Sequence, residues 1–152
     1  MSSVTRRAAD RPKAESRAAF AVFITLPTRW GDNDLYGHVN NAIYYTWFDT
    51  VINQYLIEAG VLDLVDGKVV GLVVDTQCSF FAPISYPDRV HIGLKVSKAG
   101  TTSVRYSVAV FRENEPTAAA QGHFVHVYVD RATRRPVALP EALRRVIEKL
   151  SL

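Results

Sequence analysis

Apolar and polar positions in this chain follow two rhythms. In four stretches the apolar side chains recur at every second residue, the period of a strand with one buried face. These stretches run from Val69 to Phe81, Asp88 to Ser97, Thr101 to Arg112 and Thr117 to Asp130. Val90, Ile92, Leu94 and Val96 oppose His91, Gly93, Lys95 and Ser97, and Val104, Tyr106, Val108 and Val110 oppose Ser103, Arg105, Ser107 and Ala109. In the first of the four, simple alternation puts Val70, Leu72, Val74, Thr76, Cys78 and Phe80 on one face. Lys98-Ala99-Gly100 and Glu113-Asn114-Glu115-Pro116 are the turns between them. A fifth strand is expected from Phe20 to Trp30, with Pro27 ending regular pairing.

The second rhythm is helical. Between Ala42 and Ala59, Ile43, Trp47, Val51 and Tyr55 line one side, and Tyr44, Phe48, Ile52 and Leu56 line the next. A helix apolar around most of its girth is buried. Thr46, Asp49, Asn53 and Gln54 interrupt it too often for a membrane span, and Gly60 is its stop signal. Val61 to Lys68 is a connector. A last helix, Pro140 to Leu150, carries Leu143, Val146, Ile147 and Leu150 as an amphipathic stripe. The order predicts an α+β domain: a five-stranded antiparallel sheet wrapped around a buried helix, with a C-terminal helix outside.

Charge changes little in this picture. The chain of 152 residues has a formal net charge of +3 and a pI near 9.1. Residues 1–18 hold Arg6, Arg7, Arg11, Lys13 and Arg17 against Asp10 and Glu15, which leaves 13 basic and 13 acidic residues in the rest. The excess belongs to the tail, expected to be a disordered basic leader, and the body (residues 19–152) is a single neutral domain. A neutral body argues against nucleic acid as the partner. Arg6-Arg7 is not followed by an apolar export segment. The lone Cys78 excludes an internal disulfide and a multi-cysteine metal site, and it fits a cytoplasmic setting.

Candidate chemistry concentrates between Trp30 and Asp49. Asp32, Asn33, Asp34, Gly37 and His38 form a polar loop, and Asn40 and Asn41 are helix caps just before the apolar run. The loop delivers carboxylates and an imidazole to a helix N-terminus, where free N–H donors and the dipole favour negative charge. On the residues alone Asp34 reads first as a loop carboxylate that caps the helix or bonds its own backbone, with service as a nucleophile or general base as the alternative, and Asp32 is a turn or cap residue. His38 serves either as a substrate-orienting or proton-donating group or as a structural partner. Elsewhere, His123 and His126 are three apart and fall on opposite faces of a strand, which opposes a shared metal site. Asp49 and Asn53 are one helical turn apart and form a hydrogen-bonded pair. His91 is expected to be solvated, and Cys78 to be packing.

The motif Asp32-Asn33-Asp34, Gly37-His38-Val39-Asn40-Asn41 and Tyr44-Tyr45, with Ser79-Phe80 and Ser85-Tyr86-Pro87-Asp88-Arg89-Val90 further on, resembles the 4-hydroxybenzoyl-CoA thioesterase-like family of hotdog-fold enzymes across about residues 20 to 135. The resemblance implies a hotdog fold and hydrolysis of an acyl-CoA thioester to a carboxylic acid and CoA. It implies Asp34 as the catalytic carboxylate and a backbone N–H near Asn41 as the donor to the carbonyl. Asn40, Tyr44, Ser79 and Phe80 become candidate substrate contacts. Lys98, Thr102, Ser103 and Arg105, around the turn between the third and fourth strands, become candidate CoA contacts, and Arg131, Arg134 and Arg135 form a second basic group. It also implies a homodimer or homotetramer, with no cofactor beyond the CoA ester itself.

Two rival functions compete with this reading. A hotdog hydratase or dehydratase carries Gly-Asp-x-Asn-Pro-Leu-His, but Gly31-Asp32-Asn33-Asp34 lacks the proline and His38 is wrongly offset from Asp32. A non-catalytic acyl-CoA-binding module has no need to keep Asp34 together with Gly37-His38-Val39-Asn40-Asn41. Acyl carrier protein is an alternative thioester donor, though a body without positive excess does not attract so acidic a partner.

Overall fold

A computed structural model describes residues 12–151. Its elements in chain order are β1 (Val22–Pro27), α1 (Asn41–Glu58), β2 (Val69–Phe80), β3 (Arg89–Ala99), β4 (Ser103–Arg112), β5 (Ala120–Asp130) and α2 (Glu141–Leu150), with short 3-10 turns at Arg17–Ala19 and Trp30–Asp32. The strands form one antiparallel sheet in the order β1-β3-β4-β5-β2. α1 lies on its inner face and buries Tyr44, Trp47, Phe48, Val51, Ile52 and Leu56 against Ile92, Leu94, Tyr106, Val108 and Phe124. Each fully buried aromatic or branched side chain here contributes about 1.5–3 kcal/mol. Among the described residues no helix is long and apolar enough to cross a membrane.

Both ends of α1 obey their local sequence. The Asn40 side chain accepts a hydrogen bond from Ala42 N at 2.9 Å, so the helix starts one residue earlier than its apolar run. At the other end Gly60 takes a φ of +76° and donates to Ile57 O, while Val61 N donates to Leu56 O. This is the left-handed stop that glycine permits. α2 turns Leu143, Ile147 and Leu150 inward.

The structure corrects three expectations. In β2 the register shifts between Val73 and Asp75. Val74 is therefore an extra residue, and the inward set changes parity: Gly71 faces Tyr128 and Val73 faces His126 before the bulge, Thr76 faces Phe124 and Cys78 faces Gly122 after it. Val70, Leu72 and Val74 do not share a face with Cys78 and Phe80. Second, His91 is not simply solvated: its Nδ1 lies 2.8 Å from Arg17 Nη1 and its Nε2 lies 3.8 Å from Glu113.

Third, the described part of the basic tail is not a free leader. Residues 12–18 run across the outer face of the sheet, and the rest of the predicted leader, residues 1–11, lies outside the described residues. Arg17 donates to the carbonyls of Glu115 (2.8 Å) and Arg112 (3.0 Å), and its guanidinium sits 5.0 Å from the Phe111 ring centre. Glu15 pairs with Lys95 at 2.7 Å, and Ser16 bridges to Thr117. The physical reason is a second apolar cluster on the outer face, Phe20, Ala109, Phe111 and Ala118, against which Ala14 and Ala19 pack. The strap covers apolar surface that the sheet would otherwise expose.

Candidate active site

The polar loop is built on a buried carboxylate. Asp32 is fully buried, accepts from Arg29 N at 2.8 Å and Arg29 Nε at 3.0 Å, and pairs with Arg29 Nη2 at 2.8 Å. Its carbonyl accepts from Asn40 N at 2.9 Å, which ties the loop base to the start of α1. Asn33 Oδ1 accepts from Tyr86 N at 3.0 Å, and Ser85 Oγ donates to the Gly37 carbonyl at 2.7 Å. The second sequence match, Ser85 to Val90, therefore braces the first. Gly37 takes a φ of +83°, which a side-chain-bearing residue resists.

Asp34 sits half-buried at the turn of this loop. Its backbone N–H donates to the His38 carbonyl at 2.8 Å, and its Oδ1 accepts from Tyr36 N at 2.8 Å. Its Oδ2 has no partner among the described residues. The carboxylate is thus held by one oxygen and offers the other.

At the helix start the N–H groups are almost all engaged. Val39 N donates to Ile84 O, Asn40 N to Asp32 O and Ile43 N to Asn40 O, and Ala42 N is capped by Asn40. Asn41 N has no partner among the described residues. Asn41 also lines a recess of about 370 Å³, together with His38, Val39, Tyr44, Phe80, Phe81, Ala82 and Pro83. Tyr44 meets Phe80 edge-on at 5.0 Å, and burial pushes its phenol up to about 12. An unspent N–H at a helix N-terminus suits a developing oxyanion, and the aromatic wall suits an apolar acyl group.

Of the predicted site residues, the recess gathers His38, Asn41, Tyr44 and Phe80, with Asn40 exposed at its rim as the helix cap. Asp34 is beside it on the same loop but does not line it in the single chain. Ser79 is a correction: it faces Gln121 across the ladder, accepts from Gln77 Nε2 at 2.7 Å, and lines an outer-face hollow with Glu15, Arg105 and His123. Neighbours on a strand point to opposite faces, so Ser79 and Phe80 cannot serve one pocket. Lys98 and Arg105 are cross-strand partners on that same outer face, away from the recess. Arg105 Nη2 lies 3.0 Å from His123 Nδ1, and His123 Nε2 lies 2.8 Å from Asp75. Thr102 and Ser103 are half-buried at the β3–β4 turn. Cys78 is packing: burial pushes its thiol up to about 12. Asp49 and Asn53 do pair, Asn53 Nδ2 donating to Asp49 Oδ1 at 3.1 Å.

Sequence reasoning placed His126 on the face opposite His123 and gave it no role. In the structure it is buried on the inner face, and burial depresses its basicity to about 4. Its Nε2 has no hydrogen-bond partner among the described residues.

A helix wrapped by a five-stranded antiparallel sheet, with its N-terminus at a polar loop, is the hotdog fold. The chain belongs to the thioesterase-like superfamily, whose model matches residues 28–147. It is 47% identical to the PA5185 protein of Pseudomonas aeruginosa strain PAO1, with 91% of this chain and 97% of that one covered and a TM-score of 0.89. It shares its fold with Slr0204, a 1,4-dihydroxy-2-naphthoyl-CoA thioesterase from Synechocystis, at 19% identity over 84% of this chain and 96% of that one, TM-score 0.76. It is 23% identical over 95 residues to the YsmA protein of Bacillus subtilis strain 168, a match that spans 62% of this chain and 64% of YsmA. The sequence-based family and fold expectations are borne out.

Proposed function

We propose that the protein hydrolyses an acyl-CoA thioester to a carboxylic acid and free CoA. The observation that carries this is the Asn41 N–H at the start of a buried helix, unpartnered among the described residues, with Asn41 lining an aromatic-walled recess beside the Asp34 loop. The thioester carbonyl oxygen takes the Asn41 N–H, which with the helix dipole stabilises the oxyanion. Asp34 Oδ2 either attacks the carbonyl carbon or removes a proton from the attacking water. His38 lies at the mouth to orient the ester, Asn40 holds the helix start in place, and Tyr44 and Phe80 contact the acyl group.

The CoA moiety is assigned to Lys98, Thr102, Ser103 and Arg105. They lie at and around the outer face, away from the recess of their own chain, which supports a reading in which they meet the nucleotide of an ester seated in a second copy. β2 offers a 12-residue strand at the sheet margin for pairing with such a copy. A homodimer, alone or within a tetramer, is therefore part of this reading, and the cytoplasm is its setting.

The test is thiol release from a panel of short, medium, long and aryl acyl-CoA esters by the wild type and by Asp34→Asn, with folding checked by circular dichroism. Activity that falls at least about a hundredfold in Asp34→Asn is expected for loss of the catalytic carboxylate. Activity that survives the substitution removes Asp34 from the mechanism. Absence of hydrolysis of every ester by the folded wild type removes the function.

A further inference from the structure

A second recess lies at the other end of α1. Gly60 stops the helix, and residues 61–68 detour before β2 begins at Val69. The gap between the helix end, this connector and the start of α2 is a recess of about 330 Å³. Its walls include Leu56, Val61, Leu62, Val69, Pro140 and Leu143. It shares no lining residue with the recess at Asn41, and Leu56 lies about 22 Å of helix rise from Asn41. Val61, Leu62 and Val69 pack on the core yet are only half-buried, so a chain laid over them removes apolar surface from water. A concave, mainly apolar recess of this size with a few polar groups is the usual form of a small-molecule site.

The polar groups around it decide what kind of molecule it takes. Lys68 lines the recess, is exposed, and makes no ion pair among the described residues. Asp63 lines it too, but its carboxylate is turned into its own loop, where Oδ1 accepts from Val65 N at 2.9 Å and from Asp66 N at 3.0 Å. Arg131 steadies the same loop, its Nη1 donating to Val65 O at 2.8 Å, and it lines an adjoining hollow with Lys68. Tyr128 completes the lining with its hydroxyl already bonded to that of Tyr106 at 2.6 Å. The walls are apolar, and the rim presents an uncommitted ammonium.

We propose that this recess binds a medium-chain fatty carboxylate, with the alkyl chain against Leu62, Val69 and Leu143 and the carboxylate on Lys68 Nζ. The chain covers the half-buried walls, and the anionic head gives Lys68 a charge-assisted hydrogen bond. A fatty alcohol offers the ammonium no opposite charge, and a fatty amine is repelled by it. The binding itself does not rest on the thioesterase reading. Under that reading the free acid is also what the reaction releases, so the recess retains product at a distance from the catalytic loop.

The test is calorimetric titration of the full-length wild type with octanoate, decanoate and dodecanoate, with decanol and decylammonium as chain-matched controls. Saturable binding is expected, tightening by about tenfold for each two added CH2 groups until the recess is full. Decanoate is expected to bind at least about fivefold more tightly than either control. Two variants locate the site. Ala142→Trp blocks the recess at the end of α1, and Ala82→Trp blocks the recess at Asn41; both positions are exposed, so neither substitution enters the core. Decanoate binding is expected to be lost in Ala142→Trp and kept in Ala82→Trp, and Lys68→Ala is expected to erase the preference over decanol. Each variant is confirmed as folded by its unfolding transition, and Lys68→Ala still tests the site should the tryptophan disturb α2. The proposal is overturned by no saturable binding in the wild type, by binding lost in Ala82→Trp, by binding kept in Ala142→Trp, or by a preference over decanol that survives in Lys68→Ala. None of these readouts depends on turnover. Failure to hydrolyse esters leaves the recess standing, and absence of decanoate binding leaves the hydrolase reading standing.

Discussion

The buried His126 makes the stability of this fold depend on pH in a window that can be stated in advance. In the unfolded chain its imidazole protonates near the ordinary value of 6.5, and in the fold burial lowers this to about 4. Between those values the unfolded chain binds a proton that the folded one refuses. The contribution is therefore whole above about pH 6.5, declines as the pH falls, and is lost by about pH 4. At about 1.4 kcal/mol per unit, the window amounts to about 3 kcal/mol. Tyr106 on β4 and Tyr128 on β5, the other titratable groups against the ring, stay neutral across it, because burial raises both phenols. Asp49 on α1 works the other way and is too weak to reverse the shift. Asp63 and Asp130 are held below the usual carboxylate value by backbone N–H donors, so they titrate below the window. The assay is urea unfolding of the wild type and His126→Phe at about pH 7.5, 6 and 4.5. The wild type should lose about 2–3 kcal/mol more than the variant over that range. Should the phenylalanine fail to pack, His126→Gln removes the same proton site. Parallel pH profiles for wild type and variant would refute the reasoning.

Three other outcomes follow from particular contacts. Gly122→Ala should destabilise by about 3 kcal/mol or fail to fold, because a Cβ there would fall on the Gln77 carbonyl of the paired strand, which cannot move without breaking the β2–β5 ladder; the urea midpoint reads it. Arg17→Ala should cost about 2 kcal/mol, lower Tm by about 5 °C and speed tryptic cleavage after Lys13, since Arg17 bonds two backbone carbonyls and stacks on Phe111; unchanged proteolysis would mean the strap is held without it. Cys78 should resist a thiol reagent in the native state at about pH 8 and react fully in denaturant, because burial keeps it protonated up to about 12.

What was legible in the chain and what was not divide along one physical line. Patterns that depend only on near neighbours were readable: the alternation in β3 and β4, the all-round apolar α1, the Asn40 cap, the Gly60 stop, and the loop whose Asp34 and Asn41 ends approach one helix N-terminus. Features set by distant pairing were not. The bulge at Val74 adds one residue to β2, and a parity count has no means of sensing it, so simple alternation puts Val70 and Leu72 on one face with Cys78. The docking of residues 12–18 depends on Phe111 and Ala118, about a hundred residues away, and composition alone makes that segment look like a solvated tail. The misplacement of Ser79 is different, because the signal was present. Adjacent strand residues point to opposite faces, so a pocket that takes Phe80 excludes Ser79. The same parity puts His126 on the inner face between Phe124 and Tyr128. The imidazole in that row packs against Tyr106 and Tyr128, and its Nε2 has no hydrogen-bond partner among the described residues. The alternation that defines the sheet thus also marks where the core is chemically incomplete.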